Sequence, residues 1–155
     1  FSWCNLREFL EQMLTPHQKA AEKKGIRLHV GYNIQRRQVY TDTGFLQRIL
    51  DNLLSNAIKF SPFHSRVYLT VSDDTEVVYF SVLDEGPGFT QNDKAKMFKK
   101  FQRLSARPTS DEGSSGLGLS IVKILAQRLG ASIDVRTEEG RGSEFIISLP
   151  QPKAF

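Results

Sequence analysis

A single cysteine, Cys4, occurs in the 155 residues. It has no second cysteine for an internal disulfide and no metal-ligand partner at useful spacing, which fits a reducing compartment. No apolar run approaches the roughly 20 residues needed to span a bilayer. No signal peptide is visible either. Membrane insertion is therefore not expected and a cytoplasmic location is, whether or not a longer parent is anchored elsewhere. Strong charge of one sign is also missing: 21 basic against 17 acidic residues leave +4, with the signs interspersed. Without a basic stripe or a recognition module, nucleic acid is not an expected partner. His17, His29 and His64 share no ligand spacing. At 39% hydrophobic and 25% charged residues, the composition is that of one globular domain. The chain begins at Phe1 rather than methionine, and we read it as a piece of a longer protein.

What is present is concentrated first in 51–61, DNLLSNAIKFS. Asn52, Asn56 and Lys59 stand at i, i+4 and i+7, which on a helix is one stripe. Amide oxygens can ligate a hard cation, and an ammonium can meet phosphate oxygens. Leu46, Ile49, Leu50, Leu53, Leu54 and Ala57 fill the adjoining face, which should be core. The stripe borders that face, so it reads either as one wall of a metal–phosphate site or as an ordinary solvated edge.

The rest of the chain supplies helices and alternating strands. Asn5 can cap a helix over 6–24, with Glu8 as capping-box partner, Pro16 as its kink or weak point and Gly25 beyond its end. A strand is expected over 26–32 and a short one near 39–40. Asp42 or Thr43 then caps the helix that carries the stripe to Phe60, and Ser61-Pro62 ends it. Segments 66–72 and 76–84 alternate as strands, with Val78, Phe80, Val82 and Asp84 on one face. A short basic helix over 91–101 precedes a Ser/Gly/Pro-rich stretch. Helix 116–129 and strands 133–136 and 143–149 follow. Hairpin-linked strands after helices indicate an α+β two-layer sandwich.

Two glycine motifs add chemistry. In Asp84-Glu85-Gly86-Pro87-Gly88 the glycines permit a sharp turn and close approach of a planar ligand. A carboxylate on the buried face there needs a donor, such as the exocyclic amine of adenine; a capped turn is the alternative. Gly113-Ser114-Ser115-Gly116-Leu117-Gly118-Leu119 runs into a helix start, where backbone N–H groups favour anions. It matches neither the P-loop nor the dinucleotide pattern. A flexible loop is the alternative. Phe98 and Phe101 read as packing aromatics, and Lys100 and Arg103 as solvated charges or phosphate contacts.

Together, in this order, these motifs resemble the catalytic, ATP-binding domain of a two-component sensor histidine kinase, in the GHKL or Bergerat-fold superfamily. DNLLSNAIKFSP is similar to the asparagine box, DEGPGF to the first glycine box and MFKKF to the phenylalanine box. SSGLGLSIVK resembles the second glycine box and GRGSEF the closing motif. The resemblance implies a mixed, mostly antiparallel sheet with helices on one face and a mobile lid over 102–115. It implies that Asn56 ligates Mg²⁺ with Asn52 in support, and that Lys59 and Arg103 meet the phosphates of ATP. Phe60 would lie against adenine and Asp84 would bind its amine, with Gly86 and Gly88 shaping the pocket. Gly116, Leu117 and Gly118 would cradle phosphates, and Ser143 would stand near adenine. Before Gly-Leu-Gly the lid departs from many members, which leaves the register of Gly113 open.

No His-Glu phosphoacceptor motif is present, so the acceptor histidine is expected on a dimerisation domain N-terminal to Phe1. The implied reaction is ATP-dependent phosphorylation of that histidine, in a parent that is a homodimer and signals onward to a response regulator. Hydrolysing members of the superfamily carry a glutamate where Asn52 stands, and an amide cannot take a proton at neutral pH. A nucleotide-sensing module without transfer is the remaining class.

Overall fold

The computed structural model describes residues 1–98 and 118–153. Asn5 accepts a hydrogen bond from the Glu8 N–H at 3.0 Å and starts α1 (Leu6–Lys23). The helix carries Pro16 inside it and runs on to Lys23. Gly25 follows with φ +64°, in keeping with its expected place beyond the helix end. A strand that the sequence pattern did not reveal, β1 (Ser2–Asn5), precedes α1. Four residues carry little alternation; this strand exists through its antiparallel pairing with β3 (Gln38–Thr41), where Trp3 and Phe1 pack on Tyr40.

The main sheet comprises β2 (Arg27–Asn33), β4 (Arg66–Asp73), β5 (Val77–Asp84), β6 (Ser132–Thr137) and β7 (Ser143–Pro150), in the order β2-β4-β5-β7-β6. Among its described strands, only β2 and β4 run parallel; the other pairs are antiparallel. Alternation does what it should. Val67, Leu69 and Val71 of β4, Val78, Phe80 and Val82 of β5, and Phe145, Ile147 and Leu149 of β7 are buried on one face. The helices cover that face, and the α+β two-layer sandwich expected from the sequence is what forms.

Asp42, rather than Thr43, caps α2 (Thr43–Phe60), accepting from the Phe45 N–H at 3.0 Å. Helix α2 buries Leu46, Ile49, Leu50, Leu53, Leu54, Ala57 and Ile58. Each large member contributes roughly 2 kcal/mol of apolar burial. It packs against α1 and against α4 (Gly118–Leu129), which buries Leu119, Val122, Leu125 and Leu129. The short helix α3 (Gln91–Lys96) begins with a reciprocal capping box between Thr90 and Asp93. The Gln151 side chain accepts from the Tyr40 N–H at 2.7 Å and donates to the Tyr40 carbonyl at 3.1 Å, tying the small sheet to the end of β7.

Candidate nucleotide site

The α2 stripe meets the start of α4. Asn52, Asn56 and Lys59 are half-buried, between the core face and solvent. Asn52 Nδ2 donates to the Arg48 carbonyl at 2.8 Å, which fixes its amide. A Cβ placed on Gly118 would stand 3.4 Å from Asn52 Oδ1 and 3.6 Å from Asn56 Nδ2. The two carboxamides and the first turn of α4 therefore share one small space. The neighbouring carboxylate, Asp51, is engaged elsewhere: its Oδ1 lies 2.7 Å from Nε2 of His17 on α1. Among the described residues, no three His, Cys, Asp or Glu side chains gather as a metal centre. Amide oxygens beside a polyphosphate still suit a hard cation such as Mg²⁺, and Asn52 and Asn56 offer them.

The C-terminal end of α2 is held by a residue the sequence did not single out. Lys24, only 5% exposed, donates from Nζ to the Ile58 carbonyl at 2.7 Å and the Lys59 carbonyl at 3.1 Å. A cation at the last carbonyls suits the helix dipole. The Lys24 carbonyl in turn accepts from the His64 N–H at 3.0 Å, so the loop after α2 is tied to the end of α1. Its partners lie 34 and 35 positions away, beyond any local spacing rule.

The end of β5 forms the second part. Asp84 is half-buried, and burial pushes its carboxyl up to about 6 from 3.8, against hydrogen bonds from the Gly86 and Ser143 N–H groups that favour the ionised form. The Gly86 bond is 2.8 Å long. Ser143 is the ladder partner of Asp84 across β5 and β7. A Cβ on Gly86 would stand 3.0 Å from Asp84 Oδ1 and 3.2 Å from the Phe60 carbonyl oxygen, so the last residue of α2 meets the first glycine of the turn. Gly88 has φ +69°, and a Cβ there would strike the Glu138 carbonyl. Gly142, at φ +91°, packs equally closely on the Asp84 carbonyl. Only glycine satisfies both conditions. Glu85 points outward to Arg66, whose hydrogen bond holds its carboxyl below the usual range.

The described residues thus bring together Asn52, Asn56 and Gly118 at one end, and Asp84, Gly86, Gly88 and Ser143 at the other, joined by Phe60. Phe98 packs against the core with Lys123 over its ring at 5.7 Å. Arg103, Gly113, Gly116, Leu117 and the expected lid over 102–115 lie outside the described residues, as do Lys100 and Phe101. No described helix is long and apolar enough to cross a membrane.

A family described as histidine kinase-, DNA gyrase B- and HSP90-like ATPase matches residues 41–153. The autoinducer 2 sensor kinase/phosphatase LuxQ of Vibrio parahaemolyticus is 33% identical over 156 residues, covering 97% of this chain and 18% of LuxQ. The sensor histidine kinase WalK of Bacillus subtilis is 32% identical over 154 residues, covering 96% of this chain and 24% of WalK. The chain therefore spans a minor part of the length of these relatives. Among solved structures, the mycobacterial sensor histidine kinase MprB superposes with a TM-score of 0.82 at 25% identity, over 99% of this chain and all of that one. Full-length ShkA in complex with AMPPNP gives a TM-score of 0.81 at 32% identity, over 99% of this chain and 32% of ShkA. The chain belongs to the histidine kinase-, DNA gyrase B- and HSP90-like ATPases, as a catalytic, ATP-binding domain of the sensor-histidine-kinase kind.

Proposed function

We propose that this domain binds Mg-ATP and hands the γ-phosphoryl group to a histidine on a dimerisation domain of its parent protein, outside this chain. One observation carries the reading. The wall facing the start of α4 presents carboxamides, Asn52 and Asn56, while the adjacent carboxylate of Asp51 is held by His17. Such a wall can hold a cation and phosphates but offers no base to activate water.

Phosphoryl transfer is mainly positioning and charge neutralisation, and the acceptor imidazole is itself the nucleophile. Its ring nitrogen forms the new P–N bond as the bond to the departing ADP oxygen breaks. In this reading Asp84 accepts from the adenine amine, and Gly86 and Gly88 let the base approach, with Phe60 against it and Ser143 beside Asp84. Asn56 and Asn52 hold Mg²⁺, which supplies charge neutralisation at the phosphates. Lys59 and Arg103 meet phosphate oxygens, and the Gly116-Leu117-Gly118 backbone cradles them. The reading places the domain on the cytoplasmic side, in a homodimeric parent whose phosphohistidine supplies a response regulator.

The test supplies γ-labelled ATP with Mg²⁺ to this chain alone and together with the histidine-bearing segment of its parent. The expected result is an acid-labile label on that segment and none on this chain. A stable acid-labile label on this chain alone would sink the proposal. So would steady-state ATP hydrolysis abolished by Asp51→Ala, or tight ATP binding with no transfer to the segment.

A further inference from the structure

Thr137 closes β6, and parity puts it on the inward face after Ile133 and Val135. A hydroxyl in an inward position needs partners. Its Oγ1 accepts from the Phe89 N–H at 2.9 Å, and lies 3.1 Å from both the Gly142 carbonyl oxygen and Ser143 Oγ. A hydroxyl has one proton and two lone pairs. Accepting from Phe89 and Ser143 while donating to Gly142 uses all three. Each partner belongs to a different piece of the adenine end. Phe89 follows Gly88, Gly142 packs on the Asp84 carbonyl, and Ser143 sends its N–H to the Asp84 carboxylate.

We propose that Thr137 is a positioning residue for the adenine end. Its hydroxyl sets the spacing between loop 86–89 and turn 138–142 at which Asp84 meets its ligand. The two segments touch again independently, through the Gly140 N–H donating to the Pro87 carbonyl at 2.7 Å and the close packing of Gly88 on the Glu138 carbonyl. Those contacts hold the segments together when the hydroxyl is removed, so its loss changes their spacing and not the fold. The inference rests on the reading that adenine binds at Asp84.

Calorimetric titration with Mg-ATP and Mg-GTP, well below the melting temperature, tests it on wild type, Thr137→Val, Thr137→Ser and Asp84→Asn. Thr137→Val should bind Mg-ATP about tenfold more weakly, the scale of one lost hydrogen bond, at unchanged stoichiometry. Its preference for Mg-ATP over Mg-GTP should shrink, and Thr137→Ser should restore both. If the valine variant does not fold, Thr137→Ala carries the same readouts. Wild-type affinity in the hydroxyl-free variant, or a loss confined to stoichiometry and melting temperature, overturns the positioning role alone. No Mg-ATP binding by wild type, or unchanged binding by Asp84→Asn, overturns the nucleotide reading and this inference with it.

Discussion

The two ends of the site are built by different means. The wall on α2 is made of side chains on one helix, backed by core residues and set against Gly118. The proposed adenine end is made largely of backbone: N–H groups of Gly86 and Ser143 aimed at Asp84, and glycines packed on carbonyls. Side chains on a helix can be exchanged one at a time with the scaffold intact. A backbone site is tied to the closure of its strands. The first arrangement suits tuning of chemistry, the second suits a fixed seat for a rigid planar base.

The contrast is sharpest for Asn56→Ala. If Asn56 is the cation ligand proposed above, its loss should lower transfer to the acceptor histidine by roughly a thousandfold. Adenosine, which lacks phosphates, should bind as to wild type. A matching loss of adenosine affinity, measured by competition, would break the division between the ends.

Asp84→Asn should act the other way round. Mg-ATP affinity should fall by about a hundredfold, the scale of a hydrogen bond to a charged acceptor. Stability should rise. The Asp84 carboxyl sits near 6 in the fold against an ordinary 3.8, so the fold favours its protonated form. That contribution is whole below about pH 4 and is lost as pH rises through about 6. Ionised Asp84 thus costs the empty domain ~3 kcal/mol near neutrality. Denaturant titrations from pH 4 to 8 should show this decline in wild type and a flatter profile in Asp84→Asn. An equal decline in both would assign it to other groups.

The smallest effect concerns the junction. Lys24→Met leaves the last carbonyls of α2 without their cation and should cost about 2 kcal/mol of unfolding free energy, read as a lower denaturant midpoint. Both Mg-ATP and adenosine affinity should weaken modestly, because Phe60 joins the two ends. An effect on one ligand only would show that the end of α2 serves one end alone.

This division also explains what could be read in advance. The Asn52/Asn56/Lys59 stripe and its apolar neighbours lie within a few helical turns, so spacing alone placed them. Asp84 was placed by strand parity with Val78, Phe80 and Val82. Lys24 and Thr137 escaped because their meaning lies in partners 34 and 48 positions away. β1 escaped because its four residues become a strand only by pairing with β3. For Ser143 the family resemblance implied a hydroxyl near adenine. The fold shows that hydroxyl beside Thr137 and the backbone N–H at Asp84, a division of labour no residue identity encodes.

The pairing of Asp84 with Ser143 bears on how the sheet finds its alignment. Sliding β7 along β5 by two residues would keep Phe145, Ile147 and Leu149 facing inward, since side-chain direction repeats every second residue. Packing therefore guards against odd slips and tolerates even ones better. The proposed seat for the base does not: an even slip carries Ser143 from the Asp84 carboxylate and Gly142 from the Asp84 carbonyl it packs on. Hydrophobic burial enforces parity, while the proposed nucleotide seat depends on position, so on that reading binding would report whether the strands have settled in the right frame.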